Sequence, residues 1–361
     1  MYFRGNQTEK CCNMCGCDKK LTIQFLINPK SGVSNKKRVP QMVEKYIDRS
    51  RYDVELLYTR YAGHAYELAK DAAARGVDVV VAVGGDGTVN EVGRGVAHTN
   101  TAMGVIPCGS GNGFARHLGI PIGIKSSIEF INKAEPVAID YGKINNIPFF
   151  CTCGVGFDAF ISLKFADSGK RGLLTYLENT LHESLTYQPE TYEIENEEGT
   201  MKYKAWLIAC GNASQYGNNA YITPQASLTD GLMDVTIMEP FTVLDVPSLS
   251  FQLFNKTLDQ NSRIKTFRAR KIKIHRSKPG VLHYDGDPVM ADENLEVEII
   301  PQGLYVVASD EKVKGESLNL LQQISEYFSG LKPKGEEFIA KRQSHLFELN
   351  RTLLRKLSNK D

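Results

Sequence analysis

Val77-Asp78-Val79-Val80-Val81-Ala82-Val83-Gly84-Gly85-Asp86-Gly87-Thr88-Val89-Asn90-Glu91 is the stretch on which the fold turns. Its first half, Val77 to Val83, is a valine-dominated run of strand length, as expected of a central strand buried on both faces of a parallel sheet. It then turns through glycines into a segment with Val89, Val92 and Val96 on one side, the spacing of a helix.

Working outward, the same alternation recurs. Leu21–Asn28 and Asp53–Thr59 read as strands, and Ala102–Ile106 as a fourth. Between them Val43, Tyr46 and Ile47 share one helical face behind Pro40, and Ala65, Leu68, Ala69 and Ala72 share another before Gly76. Strand and helix in alternation predict an α/β domain with a parallel sheet. After about Asp140 the texture changes. Pro148–Cys153, Lys204–Cys210, Asp234–Met238, Lys271–His275 and Leu295–Ile300 are strand-like and separated by polar turns, which predicts a second, mostly antiparallel β domain. The expected boundaries are a Cys-rich tail at 1–20, an α/β domain at 21–140, a β-rich domain at 141–308, and helices at 309–361 that pack back on the first domain.

The glycine turn carries chemistry as well as geometry. Glycines let the backbone approach a ligand, and the N–H groups at a helix start favour an anion such as phosphate. A carboxylate at Asp86 would repel that phosphate unless a cation lay between, so magnesium is the natural companion; the plainer alternative is that Asp86 caps the helix. Asn28-Pro29-Lys30-Ser31-Gly32 ends the first strand, and Pro107-Cys108-Gly109-Ser110-Gly111-Asn112-Gly113 ends the fourth. In an open α/β sheet ligands sit beyond the carboxyl ends of the strands, so these loops should converge on one crevice. There Lys30 would offset phosphate charge and Ser110 would donate a hydroxyl. Neither GxxxxGK[ST] nor GxGxxG opening a βαβ unit is present.

The set Asn28–Gly32, Gly84–Glu91 and Pro107–Asn112 resembles the ATP-binding loops of the diacylglycerol kinase catalytic family, which includes sphingosine kinases and bacterial lipid kinases. The similarity runs from about residue 21 to about 308. It implies an N-terminal α/β domain with a Rossmann-like sheet of the NAD-kinase and diacylglycerol-kinase type, followed by a β-sandwich. It also implies ATP and Mg2+ as co-substrate and cofactor, with Asn28, Pro29, Lys30, Ser31, Gly32, Thr59, Gly84, Gly85, Asp86, Gly87, Thr88, Asn90, Glu91, Gly109, Ser110, Gly111 and Asn112 around the nucleotide. By the same resemblance, the segment Asp230-Gly231-Leu232-Met233-Asp234 matches a DGxLD motif that binds magnesium through Asp230 and the main chain of Ser227 and Leu232, with Met233 in place of leucine. Asp-Gly is also an ordinary turn pair. His283-Tyr284-Asp285-Gly286-Asp287 matches a DGE motif whose acid accepts the proton of the acceptor hydroxyl. Asp287 stands where the family has glutamate, about 1.5 Å shorter in reach. Asp285 is the reserve, and a simple hairpin turn is the plain reading.

The expected reaction is phosphorylation of a lipid hydroxyl, on diacylglycerol, a sphingoid base or a related long-chain alcohol. The competing expectations are a kinase of a soluble hydroxyl compound and a nucleotide-binding regulator without catalysis. With 43 Lys and Arg against 42 Asp and Glu, the net charge of +1 gives no field for nucleic acid. No run approaches a membrane span and the N-terminus has no signal-like apolar region, so the expected place is the cytoplasm, with peripheral contact at the inner face of the membrane, where the lipid partner lies. A homodimer is left open. The apolar region 156–186 reads as a core helix or an acyl channel. The basic residues Lys341, Arg342, Arg351, Arg355 and Lys356 beside a leucine stripe read as a solvated helix face or a membrane-surface helix. The cluster Cys11, Cys12, Cys15 and Cys17 suits a metal or acyl groups, or a tail without a fixed role.

Overall fold

A computed structural model describes residues 20–30, 38–168 and 187–309. The Cys-rich tail up to 19, Ser31, Gly32, residues 169–186 of the apolar region and the C-terminal helices expected beyond 309 lie outside the described residues.

The α/β half begins with β1 (Leu21–Ile27), α1 (Val39–Tyr46), β2 (Tyr52–Tyr58), α2 (His64–Ala74), β3 (Val79–Gly84), α3 (Asp86–Val96) and β4 (Ala102–Pro107). Its strands pair in parallel in the order β2-β1-β3-β4. Every residue of β3 and β4 is buried, and each valine so covered contributes about 1.5–3 kcal/mol. This is why the valine run sits at the centre. One face packs under α2 and α3 (Ala69, Val92, Val96), the other under α1 and α5 (Ile124–Ile131) through Val43 and Ile128.

Short α4 (Gly113–His117) precedes α5, and the chain then crosses into the second half through β5 (Glu135–Ile144) and β6 (Ile147–Phe149). There follow β7 (Thr152–Gly156), α6 (Phe157–Ser168), β8 (Glu190–Asn196), β9 (Gly199–Ala205), β10 (Leu207–Gly211), β11 (Met233–Met238), α7 (Val246–Phe254), β12 (Ile264–Ala269), β13 (Lys271–Arg276), β14 (Gly280–Tyr284), β15 (Asp287–Ala291) and β16 (Asn294–Ala308). One antiparallel sheet runs β12-β11-β10-β7-β14-β15. The other joins β16, β13, β8 and β9 to the parallel strands. Ile208, Val235 and Leu282 from one sheet meet Ile194, Ile274 and Val297 from the other in a shared core, which makes a β-sandwich. The alternation along β13, exposed and buried in turn, is the pattern of an antiparallel strand with one face on that core.

Two single strands of the sequence reading are interrupted. Lys204–Cys210 divides at buried Trp206 into β9 and β10, which belong to different sheets, and Pro148–Cys153 divides into β6 and β7. An unbroken apolar run cannot reveal a strand that changes sheet. β16 is longer than the expected Leu295–Ile300. It pairs with β13 in the sandwich and, at Val306, with Met103 of β4. Its register shifts between Ile300 and Leu304. Buried Asp140 pins that bend: its carboxylate accepts the N–H of Gln302 (2.8 Å) and of Gly231 (2.7 Å), and its own N–H donates to Leu228 O (2.7 Å).

Candidate active site

The carboxyl ends of β1, β3 and β4 lie side by side, and their loops are tied together. Asn28 donates from Nδ2 to Thr88 Oγ1 (3.0 Å) and accepts the N–H of Lys30 (3.0 Å). The Cys108 N–H donates to Gly84 O at 2.7 Å. Asn112, in a left-handed conformation (φ 52°), folds back on its own loop, accepting from Gly109 N and donating to Gly109 O, both 2.9 Å. Glycine is required where these loops touch. A Cβ on Gly109 would lie 2.6 Å from Gly85 Cα and 2.8 Å from Asn112 Oδ1. Gly109→Ala therefore forces the β3 and β4 loops apart, and strain of roughly 1–3 kcal/mol corresponds to nucleotide affinity about tenfold to a hundredfold weaker. Titration calorimetry with ATP and magnesium measures it.

Asp86 opens α3, whose N-terminus has no side-chain cap. It does not cap its own helix; it reaches sideways, accepting the N–H of Asn112 (2.9 Å) and Gly113 (2.8 Å) on separate oxygens. Burial raises its pKa, these amides pull it down, and the charge of Asp287 raises it further. Asp287 comes from the other half of the molecule. Asp285 and Gly286, at φ 47° and 88°, form the two-residue turn of the β14–β15 hairpin, with Tyr284 opposite Asp287. Hairpin turn and acid motif are thus one structure: the turn delivers Asp287 to the cleft. A Cβ placed on Gly87 would be 3.7 Å from Asp287 Oδ2.

Asp285 has a different task. Its carboxylate accepts from Asn90 Nδ2 (2.8 Å) and from the N–H groups of Phe150 (2.9 Å), Cys151 (2.7 Å) and Thr152 (3.2 Å). Burial nonetheless raises its pKa. A carboxylate so surrounded positions the hairpin; it is not placed to take a proton from an acceptor. Asp287 has the freer setting. Its pKa is raised by burial first, then by repulsion from Asp285 and Glu91, with Arg94 and His283 opposing.

Among the other expected nucleotide residues, Asn90 is spent on Asp285 and on Pro148 O (3.1 Å). Glu91 accepts the N–H groups of Gly63 (2.8 Å) and Ala65 (3.0 Å), which start α2. Both hold the walls of the cleft. Thr59 is buried, its N–H bonded to Ile27 O (2.9 Å) at the end of the same sheet. Pro29, Lys30 and Ser110 are exposed at the loop ends, while Gly84 is buried and Gly111 partly so.

The magnesium set proposed at Ser227, Asp230 and Leu232 does not join this cleft. The Arg268 guanidinium bridges Asp230 and Asp234, and the other Asp230 oxygen accepts the Leu232 N–H (3.1 Å). Asp234 is on β11 and Arg268 on β12, whereas Asp287 is on β15, four strand steps from β11 or roughly 19 Å at the usual spacing. In this structure the loop's charge is met from within the chain, by Arg268. Chelation should leave the melting temperature unchanged, while Arg268→Gln should cost about 1 kcal/mol at this partly exposed pair; calorimetry with and without EDTA reads both.

Residues not anticipated from sequence also face the cleft. Arg94 lies one helical turn beyond Asn90 and Glu91, with its guanidinium over the Tyr66 ring (5.4 Å), and its charge reaches Asp287. The spacing Gly87, Asn90/Glu91, Arg94 marks one helix face and is legible in the sequence. Buried Asp158 at the start of α6 accepts from Tyr216 OH (2.7 Å) and contacts His283 Nε2 (3.0 Å). That cluster joins three distant segments and has no local signature.

Residues 22–144 match the diacylglycerol kinase catalytic domain, and residues 152–308 match the YegS C-terminal NAD kinase beta sandwich-like domain. The chain belongs to the diacylglycerol kinase catalytic-domain family. It is 29% identical over 272 residues to a diacylglycerol kinase of Bacillus subtilis (strain 168), covering 73% of this chain and 89% of that protein. It is 28% identical over 249 residues to the probable lipid kinase YegS of Escherichia coli O9:H4 (strain HS), covering 67% and 82%. The fold is similar to the crystal structure of a diacylglycerol kinase from Bacillus anthracis str. Sterne, with a TM-score of 0.63, 19% identity, and 82% and 99% of the two chains covered. The expected α/β domain with its β-sandwich partner is therefore the architecture of the lipid kinase family. Among the described residues no helix is long and apolar enough to cross a membrane.

Proposed function

We propose that this protein transfers the γ-phosphoryl group of ATP to the hydroxyl of a membrane lipid, diacylglycerol or a sphingoid base being the leading acceptors. The observation that carries this reading is Asp287 lying across Gly87, at the mouth of a turn whose neighbouring loops are locked together by Asp86. The triphosphate would rest on Gly85–Thr88 and the 109–112 loop, with Lys30 beside it. Asp287 would receive the proton as the acceptor oxygen approaches the phosphorus. Phosphoryl transfer asks mainly for alignment and charge neutralisation, and a rigid glycine cradle facing one freer carboxylate supplies those conditions.

A magnesium ion accompanying the nucleotide fits between Asp86 and Asp287. The charge of Asp287 raises the pKa of Asp86, a repulsion that a cation between the two carboxylates would relieve, and carboxylate oxygens that accept amides from Asn112 and Gly113 still offer lone pairs to a hard cation. Such an ion would neutralise the phosphate oxygens and hold them in line. The lipid partner places the enzyme at a membrane surface. The test is transfer from radiolabelled ATP to diacylglycerol, sphingoid base and ceramide in mixed micelles, with NAD as the soluble comparison. Label in the organic phase supports the reading, and label only on NAD refutes the lipid acceptor.

A further inference from the structure

An amphipathic helix normally turns its apolar side inward. Helix α7 has apolar residues on both sides. Leu249 is buried, and with Leu253 it packs on the aromatic cluster of Phe157, Trp206 and Tyr187. On the outer side Phe251 is 68% exposed and Phe254 47%, and Leu244 in the turn just before the helix is 88% exposed. The spacing 244, 251, 254 keeps them on one stripe. The acid nearest this stripe, Asp245, is turned back to the Thr242 N–H and Oγ1 (2.8 and 2.9 Å) and to Arg263 (3.6 Å). Exposed basic residues follow the stripe in the chain: Lys256 just past the helix and Lys265 on β12.

The stripe also borders the cleft. The Tyr221 N–H donates to Leu253 O (2.8 Å), and Lys256 lies over the Tyr221 ring (4.7 Å). Arg116 lies near Tyr221 and within reach of the Asp86 charge, and its Nε donates to Gly111 O (3.1 Å) in the nucleotide loop. On its inner side the aromatic cluster leads through Phe157 to Asp158 and so to His283, next to the Asp287 hairpin.

We propose that Leu244, Phe251 and Phe254 form the surface by which this chain docks on an anionic bilayer, seating the cleft against the lipid that supplies its acceptor. The identity of the acceptor as a lipid rests on the function proposed above; the docking itself does not require that transfer occur. A side chain 88% exposed projects like a knob, and fluid acyl chains accept a knob without a preformed groove. The two lysines, with Asp245 turned back to Thr242 and Arg263, complement anionic headgroups.

The experiment compares wild type with Leu244→Ser/Phe251→Ser/Phe254→Ser. Sedimentation uses vesicles of phosphatidylcholine with phosphatidylglycerol, and of phosphatidylcholine alone. Transfer is measured to a bilayer-borne acceptor and to a short-chain, water-soluble one. All three side chains are solvent-facing, so the variant should melt as the wild type does. Wild type should bind the anionic vesicles, and the variant at least about tenfold more weakly. Activity on the bilayer acceptor should fall by a similar factor while activity on the soluble acceptor stays unchanged. The proposal is overturned if wild type ignores vesicles, if the variant binds them equally well, or if the substitutions only dissociate a dimer seen by light scattering. Vesicle binding without phosphate transfer to any acceptor would refute the kinase reading and leave the docking surface standing.

Discussion

Asp287→Asn should lower kcat by about a hundredfold to ten-thousandfold, the usual worth of a positioned general base. The amide is of nearly equal size, keeps the hairpin turn, and cannot accept a proton. Asp287→Glu should retain far more activity, because it only extends the carboxylate. The pH profile gives an independent check. Burial and the charges of Asp285 and Glu91 raise the pKa of Asp287 in the free enzyme, so its base form, and with it the acid limb of kcat/KM, should appear at a pH above the ordinary carboxylate range. The sign for stability is opposite. A carboxyl with a raised folded-state pKa contributes fully below its unfolded value near 3.8 and loses that contribution as pH rises through the folded value. Asp287→Asn should therefore melt higher than wild type at neutral pH, with the gap closing below about pH 4. Equal kcat values for Asp287→Asn and wild type would remove Asp287 from the mechanism.

Asp86→Asn should be comparably damaging to turnover, by about a thousandfold, and it should also weaken nucleotide binding. The carboxylate accepts one amide on each oxygen, from Asn112 and Gly113. An asparagine keeps one acceptor and turns its NH2 toward the other N–H, so two donors face each other. One unsatisfied amide costs about 1–3 kcal/mol. The loop that carries Gly109 and Asn112 loses its anchor to α3, and a loosened cradle loses the alignment on which phosphoryl transfer depends. Loss of the charge would also weaken the proposed cation site. Steady-state kinetics beside a thermal melt separates loss of function from loss of fold: turnover should collapse while the melting transition persists above the assay temperature.

How much of this was legible beforehand depended on whether a signal was local. The parallel sheet was, because the valine run at 79–83 and the alanine face of 65–72 each declare their period within a dozen residues. The convergence of the Asn28, Gly85 and Gly109 loops followed from the rule that binding loops follow strand ends, and the hydrogen bonds among Asn28, Thr88, Gly84 and Cys108 bear it out. The Asp-Gly turn at 285–286 was legible as a turn and as a motif, without a way to see that the first aspartate anchors the hairpin while the second faces the cleft. That division is set by Asn90 and the amides of 150–152, more than a hundred residues away. The setting of Asp230 was illegible for the same reason. Its partner Arg268 lies on a neighbouring strand, and no spacing rule links them. Glu91, placed at the nucleotide by its position in the turn, accepts the amides that start α2, a contact no local pattern announced. The outward face of α7 went unread because Leu and Phe on both sides of a short helix give no period.

The most direct measurement is a calorimetric titration of the purified chain with ATP in the presence of magnesium, run beside Gly109→Ala. Saturable binding by the wild type, weakened about tenfold or more when a single methyl group separates the two glycine loops, is the predicted result. No detectable binding by the wild type, or identical affinity in the variant, would contradict a triphosphate seated on those loops.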